Sequence, residues 1–234
     1  MAERSRFELA RRAFATLRDE GVVALLDRLG PHLGVRRLLL VEQRPNAGAT
    51  ARALPAGHTF DEASLGDLDG LAELRGAEHE RSARALGEPL VPVRELHRQQ
   101  FESGHRCFVV RQGERIVATD WIARGVVRVP FLACELVLAA NEAYAYDAFV
   151  AHELRGRGIG QALYAWVATR LAREGVGRIL GLARVANRAN RQATAKAGFR
   201  AAGSLTCLAL AGRTLRFGDA RVAHRPFGRT SSRG

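Results

Sequence analysis

The sequence predicts a mixed α/β fold, with antiparallel hairpins first and strand–helix–strand crossovers later. Short apolar runs of strand length alternate with segments of helical period along most of the chain. Gln112-Gly113-Glu114 separates two such runs, which is a hairpin signal. A glycine-rich turn at Arg155–Gly160 joins a strand-like run to a helical one. The size suits this reading: 234 residues, 47% apolar and 26% charged, lie in the globular range and can bury a core without staples.

Taken in order, residues 3–30 read as helix, because Phe7, Ala10, Phe14 and Leu17 and then Val22, Leu25, Leu26 and Leu29 recur at helical spacing. Gly30-Pro31 stops it. Its arginines suit a solvated face, with a membrane-surface anchor as the alternative. Val35–Glu42 reads as a strand ended by Arg44-Pro45-Asn46. From Asp61 to Arg75 a strand remnant, a turn and a leucine-spaced helix follow. A short helix is expected near Val93–Glu102. Cys107–Arg111 and Arg115–Ala123 are the hairpin arms, and Val126–Leu138 holds another strand, broken at Pro130. Tyr144–Val150 is a strand, and a helix runs from about Gly158 to Glu174, closed by Gly175 and Gly177. Arg178–Ala183 is a strand and Arg188–Ala197 a helix stopped by Gly198. Phe199–Arg216 holds two more strands. Three units are expected: an N-terminal helical extension with one strand (1–57), a main domain (58–217) and a mobile basic tail (218–234).

The formal charge is +12, yet Lys196 is the only lysine among 36 basic residues. That arginine excess looks like the codon habit of a GC-rich genome, and a bacterial source is the expectation. The arginines run from Arg4 to Arg233 without the clustered stripe of a nucleic-acid surface, so no nucleic acid is expected. A positive field that draws an anionic ligand fits better. Three cysteines, far apart, support neither a disulfide framework nor a zinc site, and a reducing compartment follows. The first residues carry both charge signs and lead into no long apolar run, which argues against a secretory leader. No apolar run is long enough to span a bilayer. A cytoplasmic protein without metal is expected.

Arg155-Gly156-Arg157-Gly158-Ile159-Gly160 carries the chemistry. Glycines let the backbone curl and leave its N–H groups uncovered, and the helix that starts there adds its positive end. This is a cradle for a phosphate or pyrophosphate, with Arg155 and Arg157 at its rim. A dinucleotide site needs GxGxxG and an acidic residue on the next strand, and a P-loop needs GxxxxGK[ST]. Neither pattern is present.

Arg155-x-x-Gly158-x-Gly160 resembles the acyl-CoA pyrophosphate loop of the GNAT N-acetyltransferase superfamily, and Asn187-x-x-Asn190 followed by Lys196-Ala197-Gly198-Phe199 resembles its downstream segment. The resemblance covers Tyr144–Ala202 and extends from Thr59 onward. It implies a twisted mixed sheet of about seven strands with helices on both faces, and acetyl-CoA as co-substrate for a primary amine of a small molecule or peptide. The strands ending at Val150 and Ala183 would splay to admit the pantetheine. Main-chain groups of Phe149, Val150 and His152 would pair with it as an added strand. Backbone N–H groups from Arg155, Gly156, Arg157, Gly158, Ile159 and Gly160 would hold the pyrophosphate. Asn187 and Asn190 would sit near the CoA arm, with helix capping as the alternative. The resemblance leaves room for a homodimer.

In many relatives a tyrosine four residues before the glycine of the second segment protonates the departing thiolate; here that residue is Thr194. Tyr146 and Tyr144, on the strand that borders the cleft, are the substitutes, against cross-strand packing. Asp147 is a carboxylate in mid-strand, and reads either as the general base for an ammonium substrate or as the partner of a buried arginine. Glu135 and Glu142 are weaker candidates of the same kind. His105 is assigned no role. Two other functions stay open: a long-chain N-acyltransferase, and a catalytically weakened acyl-CoA-binding module.

Overall fold

The computed structural model describes residues 35–48, 53–86, 91–129, 134–185, 187–210, 213–218 and 227–229. The helix expected at 3–30 lies outside them. In chain order the strands are β1 (Val35–Gln43), β2 (His58–Ala63), β3 (Arg106–Gln112), β4 (Arg115–Ala123), β5 (Val126–Val129), β6 (Cys134–Val137), β7 (Glu142–Val150), β8 (Arg178–Arg184), β9 (Arg200–Leu210), β10 (Arg213–Gly218) and β11 (Phe227–Arg229). The helices are α1 (Leu68–Leu86), α2 (Val93–Glu102), α3 (Ile159–Arg173) and α4 (Arg188–Lys196).

Eight strands form the main sheet in the order β10-β9-β1-β8-β7-β4-β3-β2, and β11-β6-β5 form a second sheet. The mixed α/β class and the helices on both faces are as expected, with eight strands where about seven were implied. One of the eight, β1, comes from the segment expected as an N-terminal extension. It lies between β8 and β9, antiparallel to both, with Leu38 opposite Arg184 on one side and Leu205 on the other. Leu38 and Leu40 are 2% and 1% exposed. A strand with alternating leucines and a partner on each edge has no solvent edge to protect, so residues 35–43 are built into the interior of the sheet.

One face of the sheet carries α3 and α4. Ile159, Leu163, Val167 and Leu171 pack there against Phe108, Val110, Val117 and Ile122. The other face is shared. Leu71 of α1 and Phe101 of α2 pack on Cys107, Val109 and Trp121. Beside them Val127, Val129 and Leu136 of the small sheet cover Leu38, Leu40, Tyr144 and Leu180. The stretch expected to hold one strand around Pro130 therefore forms two paired strands, with Val126 opposite Val137. Residues 227–229, expected in a mobile tail, pair with β6 instead.

Among the described residues the only parallel pair in the main sheet, β7 with β8, is short. It runs from Glu142 opposite Arg178 to Ala145 opposite Gly181, and stops. Past that point β7 continues to Val150 and β8 to Arg184 without pairing. The split expected between these strands is present.

Candidate active site

The site lies at the open end of that split. Leu154 and Ile159 are 6% and 1% exposed and pin the loop to the core, while Arg155, Gly156 and Arg157 between them stand exposed. Gly156 and Gly158 hold φ of +79° and +82°, a region that side chains disfavour. Gly158 is the N-cap of α3, no side chain caps it, and the first turn contains no acidic residue. The uncovered N–H groups and the positive helix end are thus left for a ligand. Gly160 permits close packing, because a Cβ there would lie 3.2 Å from a methyl of Val150.

The open edge of β7 faces the split. The Ala151 N–H donates to the Val117 carbonyl at 2.9 Å, so Ala151 and Phe149 turn their main chain toward β4. By alternation, Val150 turns its N–H and carbonyl away from β4, as an added strand-like ligand requires. The Val150 carbonyl accepts from Nε of Arg155 at 3.1 Å, a contact that an incoming ligand can replace.

A bulge re-aims the strand next to this edge. Thr119 pairs with Phe149 but Trp121 pairs with Tyr146, so Asp147 and Ala148 oppose the single residue Asp120. Asp147 takes φ +49°, a conformation that aspartate tolerates better than most side chains. Its carboxylate forms an ion pair with Arg75 of α1, the two side chains being 24% and 16% exposed. The arginine pairing left open by the sequence is the arrangement present. The Arg75 guanidinium lies 4.6 Å from the Phe149 ring centroid and that of Arg155 lies 5.1 Å from it, which ties the bulge to the glycine-rich loop. Replacing Asp147 with asparagine should keep the bulge and strand Arg75, at a cost of about 1–3 kcal/mol. Alanine should cost about 1 kcal/mol more, for the left-handed backbone. Chemical denaturation of both variants measures the difference.

The remaining candidates separate. Tyr144 is 4% exposed, pairs with Leu180 below the split and packs in the core. Tyr146 is the first β7 residue past the paired segment, and its hydroxyl lies 2.6 Å from Nδ1 of His105. His152 is exposed, 3.4 Å from Glu78, and with Phe149 lines a cavity of about 120 Å³ beside the loop. Asn187 caps α4, its side chain accepting from the Asn190 N–H at 3.0 Å, so the capping alternative holds for its oxygen. Thr194 is buried and donates its hydroxyl to the carbonyls of Asn190 and Arg191. Glu142 is 6% exposed, pairs with Arg178 and accepts from the Ala139 N–H, a structural role at the foot of the sheet. Glu135 lies on β6 in the second sheet, opposite Arg128 of β5 and Gly228 of β11.

Two groups that the sequence reading passed over stand close to the bulge. Arg75 is one, and nothing in its helical setting marks it out. Asp120 is the other: 1% exposed, with one oxygen lacking a hydrogen-bond partner. Its signal was available, since a carboxylate between Thr119 and Trp121 in mid-strand is as unusual as Asp147. Burial, with the Asp147 charge second, pushes its carboxyl well above the ordinary carboxylate range. The folded state therefore holds a proton that the unfolded chain gives up near pH ~3.9. Asp120 contributes fully below that pH, and the contribution is lost as pH rises toward the folded value. Asp120→Asn, which mimics the protonated acid, should raise the melting temperature at pH 8 and leave it unchanged below about pH 4. Thermal scans at the two pH values check this.

A sheet that opens between two parallel strands, with an uncapped, glycine-led helix at the opening, is a geometry able to accept an extended ligand that carries an anionic group. A sequence profile described as the acetyltransferase (GNAT) family matches residues 71–199. The chain belongs to that family. No curated protein matches it. Among solved structures it is similar to a GNAT-family acetyltransferase from Colwellia psychrerythraea, at 16% identity and a TM-score of 0.51 over 78% of this chain and 56% of that one. It is also similar to a GCN5-related N-acetyltransferase from Sphaerobacter thermophilus, at 20% identity and a TM-score of 0.48 over 80% and 54%. The chain thus spans little more than half the length of these structures.

Proposed function

We propose that the protein transfers the acetyl group of acetyl-CoA to a primary amine of a small molecule or peptide by direct attack on the thioester. The observation that carries this reading is the placement of the uncapped α3 N-terminus beside the unpaired Val150 edge of β7. Residues 155–160 take the pyrophosphate on backbone N–H groups. Arg155 and Arg157 add charge at the rim, and Val150 pairs with the pantetheine. Phe149 and His152 wall the arm, and Asn187 and Asn190 flank it from α4. With Thr194 committed to its own helix, this chain offers no acid at the usual position. A thiol of pKa near ~8.5 leaves with little help, so transfer proceeds without one. Among the described residues no helix is long and apolar enough to cross a membrane. The proposed location is the cytoplasm.

Thr194 also motivates a second reading, in which the protein binds acyl-CoA without turning it over rapidly. Thiol release from acetyl-CoA, screened over amino sugars, amino acids, polyamines and peptides, separates the two. Release that depends on one amine class supports transfer, and tight binding without release from any class supports the binding module. Affinity for acetyl-CoA should fall only modestly between 50 mM and 200 mM salt, because the phosphate contacts are few and come mostly from backbone dipoles. Calorimetry at the two salt concentrations, roughly those over which counterion release weakens DNA binding steeply, measures it. Duplex DNA that binds with a steep salt slope would show instead that the +12 charge serves a nucleic acid.

A further inference from the structure

The hydrogen bond between Tyr146 and His105 joins two residues far apart in sequence, one where β7 parts from β8 and the other just before β3. Tyr146 has its backbone at the first position where β7 leaves β8. Its ring lies on the α1–α2 face, opposite the α3 face from which the phosphate loop projects. It stacks on Tyr144 at 5.6 Å and reaches across β4, past Trp121 at 6.4 Å, to the residue that precedes β3. There its hydroxyl meets Nδ1 of His105, itself a half-buried residue, at 2.6 Å.

We propose that Tyr146 and His105 form a proton relay on the acceptor side of the split, in which the Tyr146 hydroxyl takes a proton from the ammonium of the acceptor while passing its own to Nδ1 of His105. This rests on the acyltransferase reading. With the imidazole proton on Nε2, the phenol donates to Nδ1 and its lone pairs remain free for an ammonium donor. The freed amine attacks the thioester carbon, the C–N bond forms, and the C–S bond breaks. The thiolate takes the second proton of the attacking nitrogen and leaves as the thiol. The imidazolium returns its proton to solvent. Tyr146 touches the substrate; His105 acts through it and is a positioning residue.

The surrounding groups leave this pair as the available route. Asp147 is held by Arg75, and Asp120 keeps its proton. Burial lowers the His105 imidazole below its ordinary value of 6.5, so it is a neutral acceptor at pH 7. Burial and the charge of Asp147 push the Tyr146 phenol up, with Cys107 and Tyr144 adding to it, so it stays protonated between turnovers. From the helices, Arg75 of α1 and His97 of α2 face the same cluster, and His97 is buried and neutral.

The test compares the parent with His105→Gln, Tyr146→Phe and the double variant on an acceptor found by the thiol screen, with acetyl-CoA affinity measured alongside. Both single variants should lose roughly 10²–10⁴-fold in kcat. The double should lose no more than the worse single, as for groups that act as a unit. Acetyl-CoA affinity should be unchanged. The parent kcat/KM should show an acidic limb below pH 6.5, the ordinary imidazole value. In His105→Gln that limb should vanish, leaving a rate that follows the free-amine fraction, and imidazole should restore turnover to His105→Gly. In the parent's NMR spectrum His105 should titrate below 6.5, and Tyr146→Phe should move that titration. Variants within threefold of the parent, or a limb that survives in His105→Gln, overturn the relay and leave the transferase reading intact. A parent that neither binds acetyl-CoA nor releases its thiol overturns both.

Discussion

Gly158→Asp is expected to weaken acetyl-CoA binding at least about 100-fold, or about 2.7 kcal/mol, while the protein stays folded. Three effects act together. A side chain at the N-cap would fold over the N–H groups of the first turn, because aspartate is itself a capping residue and would satisfy them internally. Its charge would occupy the place of the pyrophosphate and cancel the positive end of α3. The backbone at φ +82° would carry a side chain, at about 1–2 kcal/mol. Capping offsets part of that last cost, so the melting temperature should fall by no more than about 2–4 °C per kcal/mol of net loss. Gly158→Ala supplies the control, since it keeps the backbone cost and adds neither cap nor charge. Calorimetry on the two variants should show a far greater loss for aspartate. Equal affinities for parent and Gly158→Asp would remove the loop from the binding site.

Removing residues 1–52, and with them β1, is expected to prevent folding. The loss would open a gap in the middle of the main sheet, with β8 and β9 each left with an unpaired edge. Leu38 and Leu40 would vacate a core shared with Tyr144, Leu180, Leu205 and Val127. Each buried leucine contributes about 1.5–3 kcal/mol, and the whole stability of a domain is about 5–15 kcal/mol. The truncated chain should appear in the insoluble fraction or as a soluble aggregate. Leu40→Ala makes the same point within the full chain, with an expected loss of about 2–5 kcal/mol in chemical denaturation. A truncated protein that melts cooperatively near the parent temperature would show that β1 is dispensable after all.

The elements that the sequence determined are those whose signals are local. The hairpin at Gln112–Arg115, the glycine-led start of α3 at Gly158, and the strands before and after it follow from turn chemistry and from the apolar period. These need no knowledge of what packs against them. The Arg155–Gly160 turn was legible for the same reason: its uncovered N–H groups belong to its own backbone, which a run of glycines before a helix announces.

What tertiary structure alone decided is which elements become neighbours. Nothing in Val35–Gln43 says that it will lie between β8 and β9, because a buried strand looks alike wherever it is inserted. The same holds for 227–229, whose pairing with β6 depends on an edge formed far earlier in the chain. Side-chain roles followed the same division. Asp147 could be flagged as unusual from its place in a strand. Whether it met Arg75 or stood free depended on a helix turn 72 residues away. His105 carried no local mark at all, and its meeting with Tyr146 came from the way β3, β4 and β7 align. Local sequence sets backbone conformation through short-range sterics and hydrogen bonds. The partners of a buried charge or phenol are set by long-range packing, which no single segment encodes.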